Sequence, residues 1–208
     1  HSLFAGRKVP LGLQIKTGLV MERDDGRVAD RFRHRLMIPI RRDTGALIGF
    51  GGRALDDGQV PKYLNSPETP IYTKGRTLYG LDVTKGAIRK HNYCVLVEGY
   101  FDLAQVWQAG MTPVVASSGT ALTVSQAKLL KRFAGKIVLS FDPDAAGQGA
   151  AVRSSELLVA EGFQVNVALL PEGSDPDTYI RKAGGRAYTE RLKASRPYLE
   201  FLLDRAAE

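Results

Sequence analysis

The chain of 208 residues has a single cysteine, Cys94, so it has neither a disulfide framework nor a thiolate zinc site. No apolar run reaches the roughly 18 residues that a membrane span requires. There is no Walker A pattern, which argues against an ATP-driven motor. The three histidines, His1, His34 and His91, show no ligand spacing. No charged, apolar and small-residue leader opens the chain. The reading is therefore of a soluble protein from a reducing compartment. Apolar residues make up 44% and charged residues 25%, values of a folded globular chain.

The charge is unevenly distributed. The net charge is +7, and all of it belongs to the front. Residues 1–93 hold 17 Lys and Arg against 9 Asp and Glu, whereas residues 94–208 hold 12 against 13. Such asymmetry suits a polyanion partner such as nucleic acid. Arg31, Arg33 and Arg35 alternate, and in a strand would share one face. Gly49–Arg53, Lys62-Tyr63 and Lys74-Gly75-Arg76 add cations beside glycines and aromatics, a mixture fitted to phosphate and base contacts.

Residues 33–40 and 46–50 read as two strands joined by the turn Arg42-Asp43-Thr44-Gly45. With the loop-rich stretch 56–76 they form an irregular, mostly β subdomain. A short helix follows over 80–90. From residue 93 the pattern changes to alternating apolar strands and helices. Strands are expected at 93–97, 113–116, 137–141 and 164–170, with helices at 101–109, 125–133 and 147–160. Thr123 or Ser125 is the expected cap of the second helix. This alternation implies an α/β fold with a Rossmann-like, doubly wound parallel sheet. The tail is expected to be helical from about Arg186, with a helix start at Ser195-Arg196-Pro197.

Sites in open α/β sheets lie beyond the carboxyl ends of the strands. Acidic residues collect there: Glu98 after the first strand and Asp102 close behind it, Asp142 and Asp144 after the third, Asp175 and Asp177 after the fourth. In an extended Asp142-Pro143-Asp144 the two carboxylates face the same way, and Pro143 stiffens the link. Packed like charges need a cation, and oxygen ligands without His or Cys suit Mg²⁺ or Mn²⁺. Two rival readings fail on spacing. A calcium loop starting at Asp142 would have Arg153 at its twelfth position, and a dinucleotide fingerprint at Gly147-Gln148-Gly149 meets Val152 where its third glycine belongs. A metal site joined to a basic subdomain fits phosphoryl or nucleotidyl transfer.

Val97-Glu98-Gly99-Tyr100-Phe101-Asp102 and Asp142-Pro143-Asp144-Ala145-Ala146-Gly147 resemble the Toprim domain of primases, topoisomerases and some nucleases. Pro61–Thr69, Lys74-Gly75-Arg76, Leu78-Tyr79-Gly80 and Leu170–Asp177 are similar to the polymerase core of bacterial replicative primases of the DnaG type. The resemblance implies three parts: a basic amino-terminal subdomain over 1–90, a Toprim subdomain over 91–182, and the start of a helical subdomain over 183–208. It implies Mg²⁺- or Mn²⁺-dependent synthesis of short RNA primers on single-stranded DNA from ribonucleoside triphosphates, in the bacterial cytoplasm. Glu98, Asp142 and Asp144 match the family's catalytic positions, and Asp102, Asp175 and Asp177 further metal-site acids. Arg53, Lys62, Tyr63, Asn65, Lys74 and Arg76 match positions that contact nucleotide or nucleic acid. The family's zinc module and its helicase-contacting domain are expected outside this chain, so no zinc is expected here and helicase contact only through the absent part. The alternative is a Toprim nuclease or topoisomerase-like enzyme.

Overall fold

The computed structural model describes residues 2–119, 121–142 and 144–207. Two compact units divide between Lys74 and Gly75.

The first unit opens with two short helices, α1 (Ser2–Gly6) and α2 (Leu11–Lys16), and a small antiparallel ribbon of β1 (Val20–Glu22) and β2 (Val28–Asp30). Its main sheet is antiparallel in the order β3 (Arg35–Arg41), β4 (Leu47–Ala54), β5 (Tyr63–Asn65). The β3–β4 hairpin closes at the turn expected from sequence. Arg42 N–H donates to Ala46 O at 2.9 Å, and Gly45 takes a φ of 94°, which glycine adopts without a Cβ penalty. Ile38, Ile40, Ile48, Val20 and Tyr72 are buried in this unit.

One sequence expectation fails here. Arg31, Arg33 and Arg35 do not line one strand face. Residues 31, 32 and 34 are bends, His34 has a φ of 52°, and β3 begins only at Arg35. Arg31 is instead turned inward, and its Nε and Nη2 donate to Asn65 O at 3.1 and 2.9 Å. Arg35 donates likewise to Gly52 O and Lys62 O. These two guanidiniums tie backbone segments far apart in the chain together through their carbonyls.

The second unit opens in a single 3₁₀ turn, Lys74–Arg76, which spans the division, and continues into α3 (Leu81–His91). Then come β6 (Tyr93–Val97), α4 (Tyr100–Gln108), β7 (Val114–Ala116), α5 (Val124–Lys131), β8 (Lys136–Leu139), α6 (Ala145–Ala160) and β9 (Gln164–Val167). The chain ends in α7 (Pro176–Lys193), which breaks at Gly184 (φ 84°), the two-residue β10 (Arg196–Pro197) and α8 (Tyr198–Ala207). The sheet order is β10-β9-β8-β6-β7. The four longer strands are parallel and the edge strand β10 is antiparallel.

The parallel, doubly wound architecture is therefore as the sequence implies. Strands buried on both faces read as continuous apolar runs, and alternate residues go to opposite layers. Leu96, Ile137, Leu139 and Val167 pack with α3, α5, α6 and α8 through Ile88, Leu130, Leu158 and Phe201. Val95, Val97, Val114 and Val138 pack on the other side with α4 and α7 through Val106, Ile180 and Tyr188. Thr123 caps α5 in a reciprocal box, accepting from Gln126 N–H while Gln126 Oε1 accepts from Thr123 N–H.

The compact second unit begins ahead of the 90/91 boundary read from family likeness, because α3 packs its buried face on β6 and β7. The tail also differs from expectation. The helix expected from about Arg186 is there, after the break at Gly184, but a further helical stretch precedes the break, where Asp175 caps it and Pro176 opens it. Ser195-Arg196-Pro197 adds an edge strand, and α8 starts after it. No helix among the described residues is long and apolar enough to cross a membrane.

Candidate active site

The strand order fixes where a site belongs. The chain passes from β6 through α4 to β7, then crosses back over β6 through α5 to reach β8. The direction of winding therefore reverses between β6 and β8, and the crevice at their carboxyl ends is the switch point. Glu98 follows β6 there, and Asp142 stands three residues beyond β8. The two are in contact, as Asp142 N–H donates to Glu98 Oε1 at 3.3 Å. Glu98 is held from its other side by the loop after β7, where Ser118 N–H donates to Glu98 O at 2.9 Å.

The remaining acids arrive at this edge by different local devices. Asp102 lies in the first turn of α4 and is only 9% exposed. One of its oxygens accepts from Gly99 N–H at 2.9 Å, and the other from Asp177 N–H at 3.2 Å. Asp144 caps α6 by accepting from Gly147 N–H at 2.7 Å. Asp175 caps α7 by accepting from Thr178 N–H at 2.6 Å. Asp177 is paired with Arg181 Nε at 2.7 Å, one helical turn on. The structure thus separates the six by environment: Asp102 has both oxygens in backbone bonds, Asp177 has a cation, and Glu98 and Asp142 face one another. Pro143, read from sequence as a stiffener, lies outside the described residues. Gly147 is required by the packing. A Cβ there would land inside van der Waals contact of the Asp142 carbonyl oxygen, so only glycine lets α6 approach the β8 end this closely.

The electrostatics follow from this crowding. Burial pushes the Asp142 carboxyl up to about 6, and the like charges of Glu98, Asp175 and Asp144 add to the shift. Burial also raises Asp102 to about 6 against its two backbone hydrogen bonds, with Asp175 and Asp142 adding repulsion. Glu98 is raised by burial, with smaller contributions from Asp102 and Asp144, while the Asp142 N–H pulls the other way. Among the described residues no three acids, histidines or cysteines are drawn together tightly enough to enclose a metal ion. The donor chemistry nonetheless fits a hard divalent cation. It is all carboxylate oxygen, with Glu98, Asp102 and Asp142 raised above the ordinary carboxylate range by burial and then by like charge, and a cation would relieve both.

Of the basic-side positions, Arg53, Lys62, Tyr63 and Asn65 lie on or beside β4 and β5, and Lys74 and Arg76 lie in the 3₁₀ turn at the division of the units. Arg53 and Tyr63 are cross-strand partners. The Arg53 guanidinium lies 5.6 Å from the Tyr63 ring centroid, and its Nη1 donates to Tyr63 Oη at 2.9 Å. Asn65 pairs across from Gly51, and Lys62 is exposed at the entry to β5. Lys74 N–H is anchored on Glu68 Oε1 at 2.9 Å, and Arg76 is exposed in the same 3₁₀ turn. Sequence reasoning missed the buried pair behind the acids, in which Tyr188 Oη donates to Ser140 Oγ at 2.9 Å. It joins α7 to the end of β8, and 48 residues of separation leave no local signal for it.

An acidic switch-point crevice on a parallel sheet of this order defines a Toprim-type α/β domain, and residues 95–180 match the Toprim-like family. Residues 1–85 match the family described as DNA primase catalytic core, N-terminal domain. A DNA primase of Halalkalibacterium halodurans is 47% identical over 188 residues, covering 90% of this chain and 31% of that protein. The RNA polymerase domain of Mycobacterium tuberculosis primase DnaG superposes with a TM-score of 0.87 at 34% identity, covering 99% of this chain and 69% of that one. A DnaG primase catalytic domain bound to single-stranded DNA superposes at 0.84 with 41% identity, covering 92% and 62%. The chain belongs to the DnaG primase catalytic-core family. It spans about a third of the length of the curated relatives it matches. Toprim primase cores use divalent metal ions.

Proposed function

We propose that this chain is the catalytic core of a DNA primase, joining ribonucleotides into short RNA primers on a single-stranded DNA template at the replication fork in the cytoplasm. The observation that carries this reading is the crowded, proton-retaining carboxylate cluster at the β6/β8 switch point, in a chain whose family makes primers. In the reaction, a 3′-hydroxyl oxygen bonds to the α-phosphorus of an incoming ribonucleoside triphosphate, the bond to the β-phosphate oxygen breaks, and pyrophosphate leaves.

Glu98, Asp142 and Asp144 would hold Mg²⁺ or Mn²⁺, with Asp175 and Asp177 at the margin. A bound ion supplies charge neutralisation at the phosphates and lowers the pKa of the attacking hydroxyl. Where Glu98 does not ligate the ion, it takes the hydroxyl proton as the new bond forms. Asp102 buttresses the edge, because its two oxygens fix the Gly99 and Asp177 amides and so the starts of α4 and α7. Arg53, Lys62, Lys74 and Arg76 bind nucleotide and template phosphates, while Tyr63 and Asn65 contact the strand beside them. A replicative helicase would be met through a domain outside this chain.

The test is template-dependent incorporation of labelled ribonucleotides with Mg²⁺, and its loss in EDTA. Lys62→Ala is expected to raise the KM for template or nucleotide about tenfold, the scale of removing one charged group from its phosphate. Bound metal should be unchanged. Wild-type KM values for both would remove Lys62 from the reading, and strand cleavage or a covalent DNA adduct in place of incorporation would favour the nuclease or topoisomerase alternative.

A further inference from the structure

The edge of the parallel sheet opposite the acids is strongly basic, and primer chemistry makes no use of it. α3 ends at His91 just before β6, and α5 ends at Lys131 just before β8. Tyr93 and Lys136 are register partners, and Lys136 is paired in turn with Gln164, so these helix ends meet at one edge. Asn92 stitches them, its side-chain Oδ1 accepting from Gly135 N–H at 2.9 Å.

Six cations collect there: Arg89, Lys90, Lys128, Lys131, Arg132 and Lys136. All but the half-buried Lys136 are exposed. Lys128, Lys131 and Arg132 are spaced three and four apart, on one face of α5. The Arg89 and Arg132 guanidiniums both lie over Phe133, at 4.7 and 5.4 Å from its centroid. Lys131 is braced by Gly162 O and the Phe163 ring. The group is thus preorganised. Glu161, at the end of α6, is the acid nearest in sequence to this brace.

Complementing helix dipoles does not account for this gathering. α4 and α6 end at the same edge with no cation in their last turns. The charge belongs to the ends of α3 and α5, with Lys136 at the start of β8 between them. Two further observations select the partner. Phe133 is only 6% exposed and is covered by guanidinium, so it offers no platform for an unpaired base. The exposed large apolar residues of α3 and α5, Val83 and Val124, lie at their opposite ends, and those of this edge, Trp107 and Val159, stand on α4 and α6, outside the two basic helices.

We propose that this edge is a second nucleic-acid contact that grips the phosphate backbone of a duplex, without base readout. It is independent of the acidic site.

The test is binding of a fluorescent 20-base-pair DNA duplex in EDTA, comparing the protein with the Lys90→Glu/Lys128→Glu variant. Amide exchange over 89–92 and 128–136 is followed in parallel. The expected result is at least fivefold weaker binding at 0.1 M salt and a log–log salt slope shallower by about 2, at about 0.9 for each phosphate no longer neutralised. Duplex should also slow exchange at those amides in the unaltered protein. Mn²⁺ binding by the variant should be unchanged, which separates failure of this proposal from failure of the primase reading. Unchanged affinity, slope and exchange would overturn it. So would equal displacement of the duplex by poly-glutamate, which would point to an acidic protein instead.

Discussion

Replacing Asp142 by Asn is expected to lower primer synthesis by about a thousandfold or more, equivalent to about 4 kcal/mol of transition-state stabilisation. The amide keeps the shape of the side chain, and the hydrogen bond to Glu98 comes from the Asp142 main chain, which the change does not touch. What is lost is a negative oxygen facing Glu98 at the switch point. Asp144→Asn makes the sharper comparison. Asparagine is as good an N-cap as aspartate, so the bond from Gly147 N–H and the start of α6 are retained while the charge goes. Loss of synthesis in both variants, each still folded with a cooperative melt, assigns the effect to charge at the metal. Synthesis within tenfold of the unaltered protein in either variant would remove that carboxylate from the catalytic set.

The same crowding has a consequence for stability, and its sign is fixed. Asp142 titrates at about 6 in the folded protein, against an ordinary value of 3.8. A carboxyl raised on folding stabilises the protein fully below its unfolded value and loses that contribution as pH rises through the folded one. The ionised form is therefore a cost at neutral pH when metal is withheld. Two pKa units correspond to about 3 kcal/mol. Asp142 is half-exposed, and solvent screening reduces the figure to about 1 kcal/mol.

In EDTA, Asp142→Asn should then melt level with the unaltered protein near pH 4. At pH 7.5 it should melt higher by about 2–4 °C, the shift that about 1 kcal/mol produces in a chain of this size. Saturating Mg²⁺ should reverse the order, because only the carboxylate binds it. Trp107, the single tryptophan, lies in the last turn of α4 and reports this unit's transition. A gap that does not change with pH would mean that Asp142 is not held in a repulsive setting.

The second unit was legible because its signals are local. Tyr93–Val97 and Lys136–Leu139 are short apolar runs at βαβ spacing, and each is followed within a few residues by carboxylates that a parallel sheet must place at one edge. What was not legible depends on partners far apart in the chain. The alternation of Arg31, Arg33 and Arg35 looked like a strand face, yet Arg31 is spent on a carbonyl 34 residues away. Asp175-Pro176 carried a helix-start signal that counting Asp175 among the strand-end acids concealed. The six acids could be counted from sequence, but their division could not. Asp102 is saturated by two amides, one of them 75 residues distant, and Asp177 by Arg181, leaving Glu98 and Asp142 to face each other.

The central claim is that this carboxylate pair and Asp144 form the metal site of a primer-making enzyme. The measurement that tests it most directly is anomalous scattering from a crystal soaked with Mn²⁺ and a ribonucleoside triphosphate. A manganese peak bounded by Glu98, Asp142 and Asp144 is expected, with triphosphate density reaching it. A carboxyl edge without manganese at saturating concentration, or manganese held elsewhere, would contradict it.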